Sequence, residues 1–245
     1  MAEYDTIRSV GVGARAEIDE GLRAHMNKVY GLMSVAMVVT AGVAWAVGSS
    51  EQLFSLLRNP VTGQMTILGW IAMFLPLGMV FAFGALINRM SVGAAQLFFY
   101  AFAGAMGLSL AWIFQVFTGV SIASTFLITA IAFAGLSLYG YVTKRDLSAM
   151  GTFLMMGLIG LLVAMIVNMF LGSEPLAWAI SVIGVLIFAG LTAYDTQNIK
   201  NTYLQHAVHG DVEWLGKAAI MGALNLYMDF INLFMFLLQF FGNRE

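Results

Sequence analysis

The chain has no cysteine. Disulfides, thiolate metal sites and cysteine nucleophiles are therefore excluded. Charge is scarce: Asp, Glu, Lys and Arg make up 10% of the residues, against a usual quarter in soluble domains. Positions 90–143 contain none of these four residue types. Prolines number three, and the net charge of −2 forms no basic patch of the kind that binds nucleic acid. Hydrophobic residues fill the space at 60% of the chain, too many for a soluble core.

Crossing a bilayer takes about 20 mostly apolar residues. Apolar runs predict seven spans at 29–48, 66–88, 94–116, 120–142, 150–172, 176–199 and 219–241. The turn signals "FTGVS" at 117–121 and "GSEP" at 172–175 divide neighbouring spans, and Asp146-Leu147-Ser148 reads as a helix start. Residues 1–28 are charged and lack the apolar run of a signal peptide. They read as a cytoplasmic tail, in which Ile18, Leu22 and Met26 suit a short interfacial helix as well as disorder. The second domain is then 29–245.

Nine Lys and Arg residues fall on the N-terminal side of the spans: Arg8, Arg15, Arg23, Lys28, Arg89, Lys144, Arg145, Lys200 and Lys217. Two, Arg58 and Arg244, fall on the other. This bias places the N-terminus in the cytoplasm and the C-terminus on the opposite face, unless the last segment is re-entrant. Gly104 with Gly107, and Gly157 with Gly160, offer small surfaces for helix packing.

The sixth and seventh spans carry carboxylates. Asn225, Asp229 and Asn232 follow i, i+4, i+7 and share one helical face. Thr192, Asp195 and Asn198 repeat every three residues and are read as another shared face. A charge at a helix centre costs roughly 2.5–3.5 kcal/mol on the insertion scale. Residues 224–241 carry eleven Leu, Ile and Phe, which offset it at roughly 0.3–0.6 kcal/mol each. Successive antiparallel helices bring Asp195 and Asp229 into one interior. Two carboxylates facing each other in a low dielectric cannot both ionise cheaply and would share a proton. Their ionised form attracts a hard divalent cation. Two Asp alone fall short of the six to eight oxygens of a tight calcium site, so binding there would be weak and transient, as permeation requires. Asn225, Asn232, Thr192 and Asn198 are the expected polar lining.

At these residues the chain resembles the transmembrane Bax inhibitor motif family, also called the Bax inhibitor-1 family. The matching stretches are "AYDTQNIK" at 193–200, "LYMDFINLF" at 226–234, "KRDLS" at 144–148 and the region of Asn168. The resemblance covers about 29–241. It implies an all-α, seven-transmembrane-helix bundle with the last helix central, a di-aspartyl pH sensor at Asp195 and Asp229, and a pH-dependent calcium leak. Some bacterial members pair an Arg near the end of the second helix with the aspartate as a latch. Arg89 is the candidate here, displaced from where that Arg would align, and a positive-inside anchor explains it equally.

Two other signals carry less. "HAVHGDVE" at 206–213 offers His206, His209, Asp211 and Glu213, but no further ligand, and reads as a solvated loop. An intramembrane aspartyl protease would need a Gly-x-Gly-Asp motif where this chain has "LYMD". No nucleotide motif, cofactor site or nucleophile arrangement is present, so no enzyme and no cofactor are expected. The sequence reading is thus an inner-membrane calcium leak gated by the aspartate pair. Its competitors are an interaction protein that modulates a membrane protease or stress-response partner, and a proton-coupled calcium exchanger.

Overall fold

The computed structural model of the chain describes the backbone at residues 2–207 and 211–243, and side chains from residue 18 within those ranges. The described residues are almost entirely helical. The order is α1 (Ala2–Gly48), α2 (Glu51–Ser55), α3 (Ile67–Leu86) with a 3-10 turn at Ile87–Arg89, α4 (Val92–Leu110), α5 (Ile113–Val116), α6 (Gly119–Val142), α7 (Ser148–Leu171), α8 (Glu174–His206) and α9 (Val212–Phe241). Among the described residues, seven stretches are long and apolar enough to cross a membrane: Ile18–Gly48, Ile67–Arg89, Val92–Val116, Gly119–Val142, Ser148–Leu171, Glu174–His206 and Val212–Phe241. A helix suits these runs because it satisfies every backbone polar group within the segment, where lipid offers no partner.

Side-chain caps fix where the helices start. Ser50, Thr66, Ser91, Thr118, Ser173 and Asp211 each accept the N–H three residues on. At the α7–α8 turn, Gly172 takes φ +60° and Asn168 Oδ1 accepts the Ser173 N–H at 3.1 Å. Asn168 therefore closes a helix end.

Three helices run beyond the expected spans. Residues 2–28, expected as a tail, are continuous with α1, and Leu22 and Met26 are buried in the same core as Tyr203 of α8. α8 continues to His206 and α9 begins at Val212. Hydropathy marks the lipid-embedded part of a helix, whereas these ends carry Lys, Asn and Gln and extend past it.

α9 is the most buried span, at 72% of its most apolar stretch, and packs against α8, α1, α6 and α4. α7 is 11% buried by the same measure and rests chiefly on α8, so its outer face meets lipid. The start of α1 and the end of α8 share one end of the bundle, where the His25 and Tyr203 rings lie 4.9 Å apart. Helix alternation puts Lys28, Arg89, Lys144, Lys200 and Lys217 at this basic end.

Candidate functional site

Every residue of "AYDTQNIK" except Asn198 makes a contact that places the site. Ala193 of α8 lies under Gly140 of α6, where an added Cβ would come 2.2 Å from the Ala193 carbonyl oxygen. Tyr194 covers Gly151 of α7 in the same way. Thr196 meets the Ser137 hydroxyl of α6 at 2.9 Å, and Ser137 meets the Tyr30 hydroxyl of α1 at 2.5 Å. Gln197 accepts the Leu147 N–H and donates to the Arg145 carbonyl, both at 2.8 Å, which pins the α6–α7 loop carrying "KRDLS". Ile199 packs on Gly222 of α9. Lys200 Nζ donates to the Tyr141 carbonyl at 2.7 Å.

These contacts hold Asp195 against α9. The Asp195 and Asp229 carboxyl groups lie close enough to interact with each other. Asp229 is 5% exposed, and among the described residues its buried Oδ2 has no hydrogen-bond partner. Asp195 is half-buried. Two glycines on either side of the pair let the helices close up: Gly222 faces Ile199, and Gly184 faces the Phe236 ring. Two residues before Asp229, Tyr227 is fully buried and its hydroxyl lies 2.6 Å from Thr40 Oγ1, which donates to the Ala103 carbonyl at 2.8 Å. That chain ties α9 to α1 and α4.

The remaining expected residues divide. Asn225 and Asn232 are half-buried on the Asp229 side of α9, and Asn232 Nδ2 donates to the Met228 carbonyl of its own helix at 2.8 Å. Thr192 is fully buried and donates to the Phe188 carbonyl at 2.8 Å. Asn198 is exposed, so Thr192, Asp195 and Asn198 do not share one face. A step of three falls short of the 3.6-residue turn, and two such steps rotate Asn198 away from Thr192. Arg89 is exposed and makes no ion pair with either aspartate among the described residues.

The described residues of the 206–213 segment belong to the end of α8 and the start of α9. The His206 ring stacks on Trp214 at 3.9 Å, Asp211 caps α9 by accepting the Trp214 N–H, and Glu213 pairs with Lys217 at 3.0 Å. His209 lies outside the described residues, as does Arg244. No cluster of three or more His, Asp or Glu side chains able to hold a metal forms among the described residues.

The sequence reading missed a hydroxyl stripe on α6. Ser121, Thr125, Thr129 and Ser137 are all buried. Their spacing by fours is visible in the sequence. The partners Tyr30 and Thr196 are not, since they lie on other helices.

The family model described as Inhibitor of apoptosis-promoting Bax1 matches residues 22–245. Inner membrane protein YbhL of Escherichia coli strain K12 is 46% identical over 225 residues, covering 92% of this chain and 94% of that protein. RP147 of Rickettsia prowazekii is 45% identical over 227 residues, covering 93% and 92% respectively. A Caulobacter vibrioides protein is 44% identical over 236 residues, covering 95% and 94%.

Proposed function

We propose that this chain, which belongs to the Bax inhibitor-1 family, is a calcium leak of the inner membrane gated by protonation of Asp195 and Asp229. The observation that carries the reading is the facing aspartate pair with a partnerless oxygen on its buried member. An orphaned buried acceptor costs about 1–3 kcal/mol, more when charged. A proton shared between the carboxyls reduces that charge and draws α8 to α9. Its loss leaves two like charges, which repel and attract a cation. Calcium is the cargo here. Two carboxylates with amide and hydroxyl neighbours would bind it weakly enough for release.

The Lys and Arg bias favours a cytoplasmic basic end, from which Asp195 would be approached. The name of the similar YbhL supports the inner membrane. Arg89, exposed at the same end, fits an anchor at the membrane surface better than a latch. No catalytic role and no cofactor are part of this reading.

The test is calcium entry into liposomes that hold the purified protein. Downhill entry in the wild type, reduced in both Asp195→Asn and Asp229→Asn, supports the leak. Uphill entry driven by a proton gradient would favour an exchanger. A stable co-purifying partner with no flux would favour an interaction protein.

A further inference from the structure

A groove of about 1160 Å³ runs between α1 and α6, with Phe230 of α9 on its floor. Ligand pockets usually measure roughly 300–1,000 Å³, so this one is large. Its rim residues Val38, Trp45 and Leu138 are 72%, 63% and 62% exposed, so it opens sideways within the membrane-spanning part of α1 and α6. Whatever fills it comes from the bilayer.

Charge sits at one end. Arg23, Asn27 and Tyr141 line the groove at the basic end, and Trp45 lines it at the other. From Arg23 to Trp45 the helix rises about 33 Å at 1.5 Å per residue, close to the ~30 Å hydrocarbon thickness. Arg23 is exposed and forms no ion pair among the described residues. Asp19 and Glu20, one turn before it, do not line the groove. Behind Tyr141, the Lys200 ammonium lies 5.5 Å from the ring centroid. One cation, Arg23, therefore lines the polar end of a mostly apolar trough, with a second, Lys200, behind the Tyr141 wall.

We infer that this groove binds an anionic phospholipid, with its phosphate at Arg23 and its acyl chains along α1 and α6. The guanidinium supplies donors in the geometry a phosphate oxygen accepts, and the trough shelters the chains. Neither aspartate lines the groove, but neighbours of both connect to its wall. Phe230 follows Asp229 in α9, and Ser137, which lines the groove, contacts Thr196 next to Asp195. Regulation of the gate by lipid rests on the proposed function, whereas the binding site does not.

The experiment is native mass spectrometry of the purified protein offered equal phosphatidylglycerol and phosphatidylethanolamine. The wild type should retain one phosphatidylglycerol in preference. Arg23→Gln should lower that preference about fivefold, equivalent to about 1 kcal/mol for one basic contact. Gly42→Leu grows into open space, since nothing lies within 4 Å of its added Cβ, and should abolish retention of both lipids. Ala134→Phe, also on the groove wall, should do the same if Gly42→Leu fails to fold. Asp229→Asn should keep the lipid whatever it does to calcium flux. Equal retention of the two lipids by the wild type would overturn the headgroup assignment. Unchanged retention in the folded groove-filling variants would overturn the site, as would cross-linking of two copies through Val38→Cys with lipid excluded.

Discussion

Asp229 Oδ2 has no hydrogen-bond donor beside it among the described residues, and its residue is almost fully buried near a second carboxyl. Replacing Asp229 by Asn keeps the shape and removes a charge. At about pH 8, Asp229→Asn should therefore be more stable to heat than the wild type by about 1–3 kcal/mol, with the gap closing toward about pH 5. Thermal unfolding in detergent checks this, and equal pH dependence in both proteins would contradict it. Asp146 lies outside the spans and behaves differently. The Ser148 hydroxyl first, then the Ser148 N–H, hold its carboxyl below the usual range. A depressed folded value supports the start of α7 at neutral pH and loses that support only as the pH falls through it. Between about pH 5 and about pH 8 Asp146 stays ionised, so Asp146→Asn should leave the pH profile of calcium flux unchanged. A shifted profile would move the sensor away from the aspartate pair.

The helices meet where small residues allow. At Gly140 an added Cβ would strike a backbone carbonyl of α8, which has no flexible end to yield. Gly160 meets nothing within 4 Å. Gly140→Ala should cost about 1–3 kcal/mol in thermal unfolding, and Gly160→Ala nothing of that size. Equal effects would mean that the α6–α8 contact is looser than described. The paired glycines were legible in the sequence, but their use was not. Gly107 sits against α1, whereas Gly104 and Gly160 face open space. Spacing shows that two residues share a face but is silent on what stands opposite. The same limit hid Ser137, whose partners come from α1 and α8, and Gln197, which clamps the α6–α7 loop. Gln197→Ala should speed hydrogen exchange at the Leu147 amide, and unchanged exchange would show that the loop holds itself.

At the scale of the molecule, hydropathy alone gave seven spans, because the bilayer sets their length and demands internal hydrogen bonding. Asp195 and Asp229 were legible for a related reason: a carboxylate among Leu and Phe stands out against lipid. The polar extensions of α1, α8 and α9 were not legible, since charged helix ends resemble loops in composition. The cytoplasmic placement of the basic end has a clean check, because the chain has no cysteine of its own. A membrane-impermeant thiol reagent added to intact cells should label Thr62→Cys and spare Lys144→Cys, and the reverse pattern would invert the topology.

The most direct measurement is the pH profile of calcium flux in liposomes, taken between about pH 5 and about pH 8. The wild type should close as the pH falls, while Asp195→Asn and Asp229→Asn should lose that response. Equal flux and an equal pH response in all three proteins would contradict the account.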